Sequence, residues 1–190
     1  MSAILHGVRS LPLTTTLRGR LYESTAKTVL ESKYPGLILC SVGRAGDRGV
    51  DLLGEFKDVE FLVQCKSSPS KAPGGLWREL IGACDPMYNS HDGTRLIQHP
   101  EMKTTYNNRV SKSGDQNTKK MLALLVSPLP MTSQAHAEFS SSKIPLIHCI
   151  LPLSKVRLKE DGELEASAGK IRSIIANSMA EKILKMIEKS

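Results

Sequence analysis

Three polar side chains interrupt two apolar segments that otherwise have the composition of core β-strands. Asp51 lies in the first of these segments, and Gln64 and Lys66 lie in the second. Because side chains alternate along a strand, Gln64 and Lys66 share one face, and a tight turn near Asp58 brings Asp51 level with them. Two interpretations are open: the three side chains face solvent, or they meet around a metal ion.

The metal interpretation requires oxygen ligands and a group that acts on water. Mg²⁺ prefers oxygen ligands and usually takes one or two carboxylates. Asp51 offers a carboxylate, and Gln64 offers its amide oxygen or the neighbouring backbone carbonyl. A lysine beside the ion, here Lys66, can orient or deprotonate an attacking water and offset charge on a phosphate. The pattern alone does not exclude a solvated strand face.

Strands and helices alternate along most of the chain. Hydrophobic periodicity and turn residues predict, in order, a helix over 17–33, strands over 37–42, 50–56 and 60–67, a helix over 76–87 that Pro86 ends, a strand over 121–127, a helix over 132–142 with Thr132 as its N-cap, and a strand over 144–151. The first three strands form an antiparallel meander, and the later alternation implies parallel crossovers. We therefore expect an α/β fold with a mixed sheet flanked by helices.

The chain divides into three parts on this pattern. Residues 1–16 form a basic N-terminal segment, 17–155 form the main domain with a polar insertion at about 88–120, and 156–190 follow it. The last part contains a hairpin-like turn at "EDGE" and a predicted amphipathic helix. The apolar face of that helix carries Ile171, Ile174, Ile175, Met179, Ile183, Met186 and Ile187. We expect this face to pack in the core or in a homodimer.

The charge balance indicates a polyanionic partner. Among 190 residues, 26 Lys and Arg oppose 19 Asp and Glu, which gives a net charge of +7 and a pI near 9.3. Nucleic acid is the first expectation and an acidic membrane surface the second. The candidate DNA-binding residues are Arg44, Arg48, Lys71, Lys103, Arg109, Lys112, Lys119 and Lys120. Contacts of this kind are made to phosphates and are sensitive to salt.

Cysteine usage and the N-terminus bear on location. The four cysteines form no CxxC pair, which predicts reduced core thiols of an intracellular protein, and no apolar segment approaches the roughly 18 residues of a transmembrane helix. The first 22 residues contain three arginines and no acid before Glu23. That composition is typical of mitochondrial presequences, and the alternative is a basic tail that helps to hold DNA.

Several motifs occur together in an order that resembles a known family. They are "GRAGDRGVDLLGEF", "FLVQCKSS", "LWRELIGA" and "MLALLVSPLPMTSQAHAEFSSSKIPLIHCI". Over roughly residues 17–151 the chain resembles the Mrr-type catalytic domain of type IV restriction enzymes, a branch of the PD-(D/E)xK superfamily. Within that branch it is similar to the fungal mitochondrial "required for respiratory growth" proteins. One departure is Arg44 or Ala45 at a place where glycine is common.

The resemblance implies a restriction endonuclease-like fold and a set of site residues. It makes Asp51 the metal carboxylate, Gln64 the variant of the usual acid and Lys66 the catalytic lysine. Glu23 matches an acid that this branch often adds, so Glu23, Asp51 and Gln64 are the expected ligands of Mg²⁺ or Mn²⁺. Asp47 matches the first Asp of the loop and receives a supporting role.

The expected function is therefore that of a magnesium-dependent DNA endonuclease that hydrolyses phosphodiester bonds in the mitochondrial matrix, with DNA as its partner and no small-molecule cofactor. The alternative is a catalytically inactive nuclease-like protein that binds DNA in mitochondrial genome maintenance. An RNA-processing nuclease is a third reading. Asp51 and Lys66 are both intact, which favours the enzyme.

Overall fold

The computed structural model describes residues 14–42, 49–89, 120–153, 156–158, 164–166 and 169–189. The helices are α1 (Thr15–Lys33), α2 (Gly74–Asn89), α3 (Ser133–Ser141) and α4 (Ser178–Ile187). The strands are β1 (Ile38–Ser41), β2 (Leu52–Phe56), β3 (Val59–Cys65), β4 (Lys120–Ser127), β5 (Leu146–Ile150), β6 (Val156–Leu158), β7 (Leu164–Ala166) and β8 (Ser173–Ala176).

The predicted meander is confirmed. Strands β1, β2 and β3 pair antiparallel, and Leu52 of β2 lies opposite Val63 of β3. The tight turn between β2 and β3 contains Lys57 and Asp58, with φ angles of 46° and 61°. Positive φ at both central residues matches the twist of a two-residue hairpin. The turn therefore fixes the register of β2 against β3, and this register places Asp51 opposite Gln64 at the open end of the hairpin.

The later strands complete a mixed six-stranded sheet, as predicted. Its order is β1-β2-β3-β4-β5-β8, with β3, β4 and β5 parallel and β8 antiparallel to β5. Strands β6 and β7 pair with each other on either side of the predicted "EDGE" turn, which itself lies outside the described residues. In the part of the chain that the structure describes, no helix is long and apolar enough to cross a membrane.

Helices cover both faces of the sheet. Helices α1 and α4 pack on one face, where the buried helical residues are Tyr22, Ala26, Leu30, Ala180, Ile183 and Ile187. Helices α2 and α3 pack on the other, where the buried helical residues are Trp77, Leu80, Ala83, Cys84, Ala135 and Phe139. Trp77 is fully buried in this second core.

The cysteines are free thiols, as predicted. Cys65, Cys84 and Cys149 are buried, and Cys40 is half-buried. Burial raises the pKa of Cys84 and Cys149 to about 12, which keeps both in the unreactive thiol form.

Two helix predictions are wrong in part. The helix predicted from Ile171 starts only after Asn177, because β-branched Ile174 and Ile175 lie in β8 and pair with β5. The side chain of Asn177 accepts a hydrogen bond from Ala180 N and begins α4 there. Met186 is 46% exposed and so does not belong to the core.

Pro86 does not end α2, which continues to Asn89. A proline inside a helix removes the bond to the carbonyl four residues earlier, here that of Gly82. Close to the end of a helix this is a single lost bond, so one further turn still forms. The polar insertion follows α2, and residues 90–119 lie outside the described part of the chain.

Candidate active site

Asp51 lies immediately before β2, at the open end of the hairpin. Its backbone remains in the sheet, because its N–H donates to Val63 O at 2.9 Å and its carbonyl accepts from Val42 N at 2.9 Å. Its carboxylate crosses to the neighbouring strand, where Oδ2 accepts a hydrogen bond from Cys65 N at 2.6 Å. A bond of this length to a charged acceptor is strong, so the orientation of the carboxylate is fixed.

That hydrogen bond places Asp51 beside the Gln64-Cys65-Lys66 segment. The backbone N–H of Lys66 donates to Val126 O at 2.9 Å, which continues the parallel pairing with β4 past the end of β3. The predicted meeting of Asp51, Gln64 and Lys66 at one end of the hairpin is present. It lies at the carboxyl end of the parallel strands, where α/β sheets commonly bind ligands.

Gln64 is fully buried, so the solvent-facing interpretation is wrong for this residue. Within the described residues, neither its Oε1 nor its Nε2 has a hydrogen-bond partner. A buried polar group without a partner is uncommon and costs stability. Asp51 and Lys66 are half-buried. Among the described residues, an amide oxygen and nitrogen thus lack a partner in a buried position next to a carboxylate.

The structure adds Glu79, which the sequence reasoning did not select. Glu79 lies near the start of α2, and its Oε2 is 3.8 Å from Lys66 Nζ. Its other oxygen, Oε1, approaches Gly49 from the same side as Gln64 Nε2: a methyl group at Gly49 would lie 2.6 Å and 2.8 Å from these two atoms. The φ of Gly49 is 80°. Glycine is required there both by backbone conformation and by this close approach.

A sequence signal for Glu79 does exist. Trp77 and Leu80 are buried and fix the face of α2 that packs on the sheet. Glu79 lies one turn before the buried Ala83 and is therefore at the rim of that face. The family resemblance includes the motif "LWRELIGA" of this helix but assigns no site role to any of its residues.

Glu23 approaches the site from α1, on the opposite face of the sheet. Its effect is visible at the Cys65 thiol, whose pKa is raised well above its ordinary value by burial first and then by the negative charges of Asp51 and Glu23. The charge of Lys66 lowers that pKa. The Cys65 thiol at the end of β3 thus interacts electrostatically with three charged side chains, those of Glu23, Asp51 and Lys66.

The predicted ligand set of Glu23, Asp51 and Gln64 stays a prediction. Across the residues described, no group of three or more His, Cys, Asp or Glu side chains is arranged to hold a metal ion. Any oxygen set centred on Asp51 must therefore draw on a neutral group such as the Gln64 amide or on a rearranged carboxylate.

The candidate DNA-binding residues lie in different places. Lys71 is exposed in the loop before α2, close in sequence to the site. Lys120 is exposed at the start of β4 and pairs with Val59, so it lies at the other end of β3 from the site, about 20 Å away along the strand. Asp47 and the remaining basic residues, Arg44, Arg48, Lys103, Arg109, Lys112 and Lys119, lie outside the described residues.

Comparison with known proteins gives one family. The family described as "Required for respiratory growth protein 7" matches residues 14–60 and 93–184. The protein "Required for respiratory growth protein 7, mitochondrial" from Vanderwaltozyma polyspora is 24% identical over 230 aligned positions, covering 97% of this chain and 82% of that protein. No solved structure matches the chain. Glu23 and Asp51 fall within the matched ranges, whereas Gln64, Lys66 and Glu79 fall between them.

Proposed function

The chain belongs to the Required for respiratory growth protein 7 family and is mitochondrial, and from this premise we propose that it is a metal-dependent deoxyribonuclease acting on mitochondrial DNA in the matrix. The observation that carries the proposal is the 2.6 Å hydrogen bond from Cys65 N to Asp51 Oδ2. It holds the Asp51 carboxylate beside an amide and a lysine, groups that can hold a metal ion and act on water in phosphodiester hydrolysis.

The fold supports the same proposal. A helix, an antiparallel three-stranded meander and two parallel strands joined through helices are arranged around one mixed sheet. This order is the one that the resemblance to a restriction endonuclease-like fold implies, and the site lies where β2 begins and β3 ends. Fold alone does not establish an activity, so the site carries the argument.

The residues at the site fit a hard divalent cation. Gln64 Oε1 is buried without a partner among the described residues, and it lies on the strand whose next residue binds the Asp51 carboxylate. Mg²⁺ or Mn²⁺ held by Asp51 and Gln64, with Glu23 on the α1 side, would supply Lewis acidity toward a phosphate oxygen.

Lys66 has a separate role in the proposal. Its side chain is about one-third exposed, and its ammonium group lies 3.8 Å from Glu79 Oε2. From there it orients the attacking water and offsets negative charge on the phosphate. The excess of basic residues holds the DNA backbone through phosphates, without selecting a sequence.

A cleavage assay with linear, flapped and four-way DNA, in Mg²⁺, Mn²⁺, Ca²⁺ or chelator, tests the proposal. Asp51→Asn should lower cleavage by about 10²-fold or more, because an uncharged amide oxygen is a weaker metal ligand than the carboxylate and the site loses the negative charge that Asp51 supplies. The variant should fold, because its side-chain carbonyl can still accept from Cys65 N. Asp58→Asn makes the same chemical change in an exposed turn where asparagine is favoured, and it should cut at the parent rate.

Cleavage that persists undiminished in chelator, or in Asp51→Asn, contradicts the nuclease proposal. A second candidate, a non-catalytic DNA-binding protein of mitochondrial genome maintenance, is favoured by the neutral Gln64 at the position of an acid. It predicts DNA binding with no cleavage of any of the three substrates in any metal.

A further inference from the structure

The strands alone provide little negative charge for a divalent cation. Asp51 contributes one negative charge, Gln64 contributes none, and Lys66 contributes one positive charge. A cation that gives up part of its hydration shell is usually compensated by one or two carboxylates. A carboxylate at position 64 would be the simplest source of further negative charge, but this residue is a neutral glutamine. The additional charge must therefore come from an acid elsewhere in the fold.

Helix α2 directs Glu79 toward this place. The burial of Trp77 and Leu80 fixes the rotation of the helix against the sheet. On the other side of the helix, Arg78 binds Glu138 of α3 at 2.5 Å. With Arg78 held toward α3, Glu79 is left on the rim that faces the end of β3.

The Glu79 carboxylate lies between the two side chains that the site uses. One oxygen faces Lys66 Nζ at 3.8 Å, and the other lies beside Gln64 Nε2 across Gly49. Gln64 is fully buried, and its amide has no partner among the described residues. The Glu79 carboxylate therefore lies next to a buried polar group that points into the same space. This distinguishes it from acids that merely cluster on a surface.

The contact between Glu79 and Lys66 is weak enough to be exchanged. At 3.8 Å it exceeds hydrogen-bonding distance, and the side chains are 45% and 34% exposed. Exposed pairs of this kind contribute little to stability. The carboxylate can therefore turn toward a cation at little cost, and doing so releases the Lys66 ammonium.

We propose that Glu79 is a carboxylate ligand of the metal site in addition to Asp51 and Glu23, and that it supplies from α2 the negative charge that Gln64 does not provide on β3. The inference rests on the proposed function. It adds a ligand outside the predicted set of Glu23, Asp51 and Gln64, and it couples cation binding to the release of Lys66 for its role toward water and phosphate.

Mn²⁺ titration of the purified full chain without DNA tests this, with calorimetry and thermal stability as readouts. Loss of groups that only support a ligand commonly weakens metal affinity 10–100-fold, so Glu79→Gln should weaken Mn²⁺ binding by at least about tenfold. Glu188→Gln is the matched control, because Glu188 is exposed at the end of α4 on the opposite face of the sheet. Its affinity should equal that of the parent.

A second variant decides whether Glu79 is a metal ligand or only a structural side chain. Gln64→Glu in the Glu79→Gln background moves the negative charge from α2 to β3 and leaves the total charge unchanged. If Glu79 acts through its charge on the ion, this double variant should recover most of the lost Mn²⁺ affinity.

Cleavage measured on the same preparations distinguishes the failures. If the parent binds Mn²⁺ and cuts DNA while Glu79→Gln keeps the parent affinity, the role of Glu79 is wrong and the nuclease proposal stands. The role of Glu79 is also wrong if the double variant does not recover affinity. If the parent neither binds Mn²⁺ nor cuts, both proposals are wrong.

Discussion

Replacing Gln64 with methionine is expected to stabilise the protein while removing the proposed nuclease activity. Gln64 is fully buried, and neither polar atom of its side chain has a partner among the described residues. Methionine has a similar length and no polar group that needs a hydrogen bond. The substitution thus removes an unsatisfied amide from the interior without creating a large cavity.

The magnitude follows from two opposing terms. A buried polar group without a partner costs about 1–3 kcal/mol, and this cost disappears in Gln64→Met. A volume-conserving swap in a packed core usually costs less than about 1.5 kcal/mol. The free energy of unfolding should therefore rise by about 1–2 kcal/mol, with an increase in Tm of roughly 2–4 °C for each kcal/mol in a domain of this size.

Urea denaturation followed by fluorescence measures this directly, because Trp77 is the only tryptophan and is buried on the same face of the sheet. Leu125→Met is the control, since Leu125 is buried beside Gln64 on β4. It should be destabilised slightly. A loss of more than about 1 kcal/mol in Gln64→Met would show that the amide is hydrogen-bonded in the folded protein. The argument that Gln64 is held ready for a ligand would then fail.

Three further outcomes are expected. Asn177→Ala should lower the free energy of unfolding by about 2–4 kcal/mol, because this buried side chain accepts from Leu146 N at 3.1 Å and Ala180 N at 2.9 Å; a change within 0.5 kcal/mol, about the noise of urea denaturation, would contradict it. Burial lowers the pKa of His148 to about 4, so the neutral side chain contributes fully to the free energy of unfolding above about pH 6.5, and this contribution is lost as the pH falls toward 4. In His148→Gln, a plot of the free energy of unfolding against pH should lose this slope. DNA affinity measured by fluorescence anisotropy should fall by roughly 10²-fold or more between 50 and 200 mM salt, and a flat response would exclude phosphate contacts as its source.

The elements with local signals were predictable from the sequence. The meander follows from short apolar segments with tight connections, and Lys57 and Asp58 mark its turn. Thr132 was predicted as an N-cap, and its hydroxyl accepts from Ala135 N at 3.2 Å. Since the pairing of β2 with β3 fixes the register, the meeting of Asp51 with Gln64 and Lys66 was also predictable.

Features set by tertiary contacts were not predictable in the same way. The apolar spacing from Ile171 onward suits a helix, and only the available edge of β5 makes Ile174 and Ile175 a strand. The proximity of Glu79 to Lys66 depends on which face of α2 packs against the sheet. The burial of Gln64 depends on the same packing, because a strand end that α2 did not cover would be exposed to solvent.

Burial alone does not account for the amide at position 64. Gln64, Leu125 and His148 are neighbours in one row across β3, β4 and β5, and all three are fully buried. Leu125 packs in the apolar core of this face, and His148 Nε2 lies 2.8 Å from Ser127 Oγ. Gln64 differs because neither polar atom of its side chain has a partner among the described residues, whereas His148 lacks one only at Nδ1, and an apolar side chain at position 64 would lower the free energy of the fold. The row thus loses stability at the position that adjoins Asp51, Lys66 and Glu79, as expected if the amide serves the proposed metal site rather than packing.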